Sequence, residues 1–120
     1  MLERIADLPD NVLGFVAKGT LTSADYDQVL LPAVDAALAH HPKVRLLYVL
    51  GEEFDGLTGG AIWSDARVGV GHATRWERVA VVTDKEWVRQ AVSLFGYLMP
   101  GEMQGYPTAA LPEARAWVVA

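Results

Sequence analysis

At 120 residues the chain fits one domain, and with 52% hydrophobic against 21% charged residues it holds ample apolar material for a core. It has no cysteine, which excludes disulfides, thiolate nucleophiles and zinc–thiolate sites and suits a reducing compartment. The net charge is −5 and the Lys and Arg residues are dispersed, with only Arg67, Arg75 and Arg78 loosely grouped, so neither nucleic acid nor an anionic membrane surface is the expected partner.

The opening residues Met1 to Asp7 lack the basic-then-apolar layout of a secretory signal. No apolar run approaches the roughly 20 residues of a membrane span. A cytoplasmic protein with no membrane span is the expectation.

Met1 to Leu8 reads as a short strand. Pro9-Asp10-Asn11 supplies turn chemistry, and Val12 to Lys18 reads as a second strand. So short a connection implies an antiparallel hairpin. Thr22-Ser23-Ala24-Asp25 has capping-box spacing, and Tyr26, Val29, Leu30, Ala33, Ala37 and Leu38 then recur at helical intervals. Pro32 within that pattern predicts a kink, and Pro42 predicts the helix end near His40 and His41.

Val44 to Leu50 is a near-continuous apolar run, as expected of a central strand buried on both faces. Gly51 to Thr58 reads as an acidic loop. Thr58 to about His72 reads as a helix weakened by Gly59, Gly60, Gly69 and Gly71. Arg78 to Val82 is a second buried strand, and Thr83-Asp84-Lys85-Glu86 has the spacing of a full capping box. Trp87, Val88, Ala91, Val92, Phe95 and Leu98 give the helix that follows its apolar face. Pro100-Gly101 ends it, Met103 to Tyr106 suits a last strand, and Pro112 to Val119 a closing helix. The expected fold is α/β: one domain over residues 1–120, with a mixed sheet that opens on an antiparallel hairpin, continues by βαβ crossovers and is covered by helices.

Several segments carry a resemblance to a known family. They are Asp25 to Ala33, Val44 to Tyr48, Gly60-Ala61-Ile62-Trp63-Ser64-Asp65, Trp76 to Val82 and Pro100-Gly101-Glu102, in order along nearly the whole chain. Together they resemble the STAS domain, in particular its bacterial SpoIIAA-like (STAS/SEC14-like) branch. The resemblance implies a regulatory module related to anti-sigma factor antagonists, which bind protein partners around the start of the helix after the third strand. In that branch a Ser in an Asp-Ser-Ser-Gly-like motif is phosphorylated there. The equivalent stretch is Asp55-Gly56-Leu57-Thr58-Gly59-Gly60, where Thr58 is the nearest hydroxyl and the acidic residue does not directly precede it.

Asp55, Thr58, Gly59, Gly60 and Trp63 are therefore the candidate partner-binding residues. Thr58 reads first as a helix N-cap and second as a phosphoacceptor. Gly59 and Gly60 offer backbone N–H groups to an anion, yet no P-loop Lys follows them. His40, His41 and His72 lack metal-ligand spacing, and the acidic loop lacks the calcium pattern, so no metal and no cofactor is expected. Ser64 and Ser93 have no evident base, so no catalytic residue is expected. Trp63, Trp76, Trp87 and Trp117 read mostly as core, with an apolar pocket as the alternative.

The leading expectation is a non-catalytic regulatory module for an unidentified protein partner, and the alternative is a small apolar-ligand or lipid-binding protein. The hairpin edge and the apolar Leu94 to Met99 region also suggest a homodimer.

Overall fold

The two apolar runs form neighbouring strands at the centre of the main sheet. A computed structural model describes residues 1–120, and the side chains of all of them except Val70 and Leu98. The first half of the chain contains β1 (Leu2–Arg4), β2 (Val12–Ala17), β3 (Gly19–Leu21), α1 (Ser23–Asp25), a π-helical turn (Tyr26–Leu30) and α2 (Leu31–Leu38). The second half contains β4 (Val44–Leu50), β5 (Phe54–Leu57), α3 (Gly59–Gly71), β6 (Trp76–Thr83), α4 (Glu86–Leu98), β7 (Glu102–Tyr106) and α5 (Leu111–Val119).

The five-stranded sheet has the order β1-β2-β4-β6-β7. β1 runs antiparallel to β2, with Leu2 opposite Ala17 and Arg4 opposite Phe15. β2, β4, β6 and β7 are mutually parallel. This is the mixed sheet expected of an opening hairpin followed by helical crossovers, and the fold class is α/β.

Alternation along the central strands sends successive side chains to opposite faces. Leu46, Tyr48 and Leu50 of β4 and Val79 and Val81 of β6 join one buried cluster, with Tyr26, Val34, Ala61 and Val88 from the helices. Leu47 and Val49, with Ala80 and Val82, pack on the other face against Ala114 and Val118 of α5. Arginines fasten that lone back helix. Arg45 donates to the Val118 carbonyl at 3.0 Å and Arg78 to that of Trp117 at 2.8 Å. Both therefore meet the carbonyl-rich C-terminal end of α5, where a cation is favoured.

Four local expectations change. Strand β1 is shorter than Met1 to Leu8, because the chain turns at Asp7, whose φ is 63°. The segment Gly51 to Thr58 is not all loop: β5 pairs in parallel with β3 in a separate two-stranded sheet. At Pro32, the missing N–H is accommodated by the π-helical turn just before it, in which the Leu31 N–H reaches back to the Tyr26 carbonyl. Finally, Thr83 does not cap α4. It remains in β6 opposite Leu50, and Lys85 takes the N-cap position. The Asp84 carboxylate instead accepts the Thr108 N–H at 2.9 Å, joining the two connections that flank α4 and β7. At Thr22 the spacing does deliver a cap, since the Thr22 N–H donates to Asp25 Oδ2 at 2.8 Å.

Candidate functional site

Alternation on β4 and β6 points Leu46, Tyr48, Leu50, Val79 and Val81 at the helical layer, and α4 returns Trp87, Val88, Ala91, Val92 and Phe95 toward them. α3 packs chiefly against α1, the π-helical turn and β5. A cavity of about 330 Å³ remains between the sheet and the helices. That volume lies at the lower end of the range for small-molecule sites. Six aromatic side chains contribute to its wall: Tyr26, Tyr48, Phe54, Trp76, Trp87 and Phe95. Phe54 and Trp87 lie with ring centroids 6.2 Å apart, so the short strand β5 helps to place the start of α4.

Among the described residues the wall has one polar cluster. The hydroxyls of Tyr26 and Tyr48 are 3.0 Å apart, and the Asp65 carboxyl of α3 lies beside Tyr26. Burial pushes the Asp65 carboxyl above its usual range, and the hydrogen bond from the Tyr26 hydroxyl works in the opposite direction. Burial likewise pushes both tyrosines up, so they stay neutral donors and acceptors at ordinary pH. Among the described residues no Lys, Arg or His lines the cavity. Lys85 comes near, with its ammonium 5.9 Å from the Phe54 ring centroid.

The residues singled out from the sequence gather elsewhere. Thr58 Oγ1 accepts the Ala61 N–H at 3.1 Å, the geometry of an N-cap on α3. Its own N–H donates to the Leu21 carbonyl at 2.9 Å, so the β3–β5 pairing leads directly into the helix. Gly60 packs near the Ser23 side chain, while Gly59 faces open space. Asp55 is exposed on β5, and Trp63 is 67% exposed one turn into α3 beside exposed Ile62. None of Asp55, Thr58, Gly59, Gly60 and Trp63 lines the cavity.

The expectation that the four tryptophans are mostly core is corrected. Only Trp76 is fully buried; Trp117 is half-buried, and Trp63 and Trp87 are largely exposed. Helical spacing placed Trp87 on the correct face of α4, but that face borders a cavity rather than a filled core.

Asp65 was missed from sequence. A signal for it exists: Asp65 lies four residues after Ala61 and three before Val68, both buried, on the inward face of α3. A carboxyl on such a face is rare enough to mark a site.

Several findings place this chain among known proteins. No curated protein matches it. Its structure is similar to the crystal structure of an uncharacterized protein with a SpoIIAA-like fold from Shewanella loihica PV-4. That likeness has a TM-score of 0.78 at 29% identity and covers 98% of this chain and 92% of that one. The family model described as SpoIIAA-like matches residues 12–119, nearly the whole of both the mixed sheet and its helices. The chain belongs to the SpoIIAA-like family.

Proposed function

We propose that the protein is a small binding module that takes an apolar ligand between its sheet and α4, without transforming it. The observation that carries this reading is the cavity of about 330 Å³, walled by aliphatic and aromatic side chains with one polar cluster. Burying an apolar ligand there gains roughly 25 cal/mol for each Å² removed from water, which suits micromolar affinity for a small molecule. The polar cluster does not resemble a nucleophile with its base. It is two neutral hydroxyls hydrogen-bonded to each other with a carboxyl beside one of them, better suited to orienting a ligand than to attacking one.

Native mass spectrometry of the protein purified from its own cell extract, together with Ala91→Phe, tests the reading. Ala91 lines the cavity, and a phenyl ring there fills the space a ligand needs. A co-purified small molecule present on the wild type and absent from Ala91→Phe is the expected result. A wild type that neither retains a small molecule nor binds added 1-octanol contradicts it.

A second reading concerns a protein partner at the start of α3, in keeping with the regulatory role that the resemblance suggests. Ile62 and Trp63 are 55% and 67% exposed next to the Thr58 cap, and exposed large apolar groups commonly mark contact surfaces. Asp55, Gly59 and Gly60 would border that surface. A partner recovered with the wild type and lost with Trp63→Ala, but kept by Ala91→Phe, would support this reading separately from the cavity.

A further inference from the structure

We propose that the cavity prefers a small hydrophobic cation, an alkyl or aralkyl ammonium, held with its charged head at Asp65 and its apolar body along Trp76, Val79 and Phe95. This proposal rests on the cavity reading above and adds the chemical class of the ligand. The geometry that carries it is a lone carboxyl on an otherwise apolar wall, with only hydroxyl neighbours. Tyr26 lies beside Asp65, and Tyr48 is 3.0 Å beyond, hydroxyl to hydroxyl. Among the described residues no cationic side chain lines the space to neutralise it.

A part-buried carboxyl without a counter-charge is costly, and an entering ammonium supplies the missing partner in a medium where pairing is strong. The aromatic wall favours the same ligand, because a cation within about 6 Å of a ring centroid is attracted to the ring face. An alkyl carboxylate would meet the opposite situation, with no donor cation and an acidic neighbour. The upward displacement of the Asp65 carboxyl agrees with this picture, for burial is its first cause and no cation counters it. At longer range the net charge of −5 draws cations toward the molecule.

Three probes with one tail and different heads test the proposal: octylammonium, 1-octanol and octanoate. Each is titrated into the full chain at pH 7 and low salt, below the concentration at which it self-associates. Octylammonium is expected to bind about tenfold or more tightly than 1-octanol, a difference of about 1.4 kcal/mol, with octanoate weakest. Asp65→Asn should bring octylammonium to within about twofold of 1-octanol, leaving 1-octanol itself little changed. Equal binding of octylammonium and 1-octanol to the wild type, or an ammonium preference that survives Asp65→Asn, overturns the cation assignment and leaves the cavity reading standing. Failure of all three probes to bind overturns both. The head-group comparison on the wild type needs no variant, so the proposal stays decidable even if Asp65→Asn folds poorly.

Discussion

A carboxyl under a helix, with hydroxyls for neighbours, ties stability to pH at the scale of one residue. Asp65 faces Tyr26 and Tyr48, and Asp25 adds a negative charge that acts on Tyr48. Burial raises the folded-state value above the ordinary 3.8, so the folded protein holds this proton to higher pH than the unfolded chain does. Stability therefore falls as pH rises from about 4 through the folded-state value, and remains at its lower level above it. Asp65→Asn removes that loss. Thermal unfolding across a pH series should show the variant more stable than wild type at pH 7, with the gain fading toward about pH 4. A variant destabilised equally at every pH would mean that the carboxyl acts only through its hydrogen bond. Thr58 offers a second test at this scale. Thr58→Ala should cost roughly 0.5–2 kcal/mol in denaturant unfolding, and Thr58→Asp should retain most of the stability, because Asp also caps and suits the positive end of α3. Thr58 was legible in the sequence because capping is local chemistry. The surroundings of Trp87 were not, because helical spacing gives a side chain's direction and not what lies in that direction.

Whole elements were legible where they are long and periodic. β4 matches the run Val44 to Leu50 residue for residue, and α3 and β7 each begin and end within about one residue of expectation. β3 and β5 were not read, since three and four residues carry no usable period and Gly19 and Gly56 both adopt positive φ. The cap expected at Thr83 failed because strand pairing with Leu50 outweighed a local motif. Gly101, which was read as a helix stop, has a second duty. A Cβ added there would stand 2.2 Å from the Trp76 carbonyl oxygen and 3.0 Å from that of Glu77. Those oxygens belong to β6 where β7 begins to pair with it, so the backbone cannot retreat without loss of that pairing. Gly101→Ala is expected to cost about 1–3 kcal/mol or more, the range for overpacking. Unchanged stability would show that the β6–β7 junction gives way more easily than its geometry implies.

For the molecule as a whole, the layers follow from patterning, whereas the space between them does not. Alternation on β4 and β6 makes two apolar faces, and helices must cover both. α5 fills the back face, fastened by Arg45 and Arg78. On the front, α3 rests mainly on α1 and the π-helical turn while α4 lies along β6 and β7, and the gap is the cavity. How far two helices stand off a sheet depends on contacts among elements distant in sequence, so the alternative of an apolar pocket stood open until the packing was known. Among the described residues, no helix is long and apolar enough to cross a membrane. The most direct test is NMR of the labelled protein with unlabelled 1-octanol, read as intermolecular NOEs. Contacts from the octyl chain to Trp76, Val79 and Phe95, lost in Ala91→Phe, are the predicted result; no contacts at all, or contacts confined to Ile62 and Trp63, would contradict a ligand cavity between the sheet and α4.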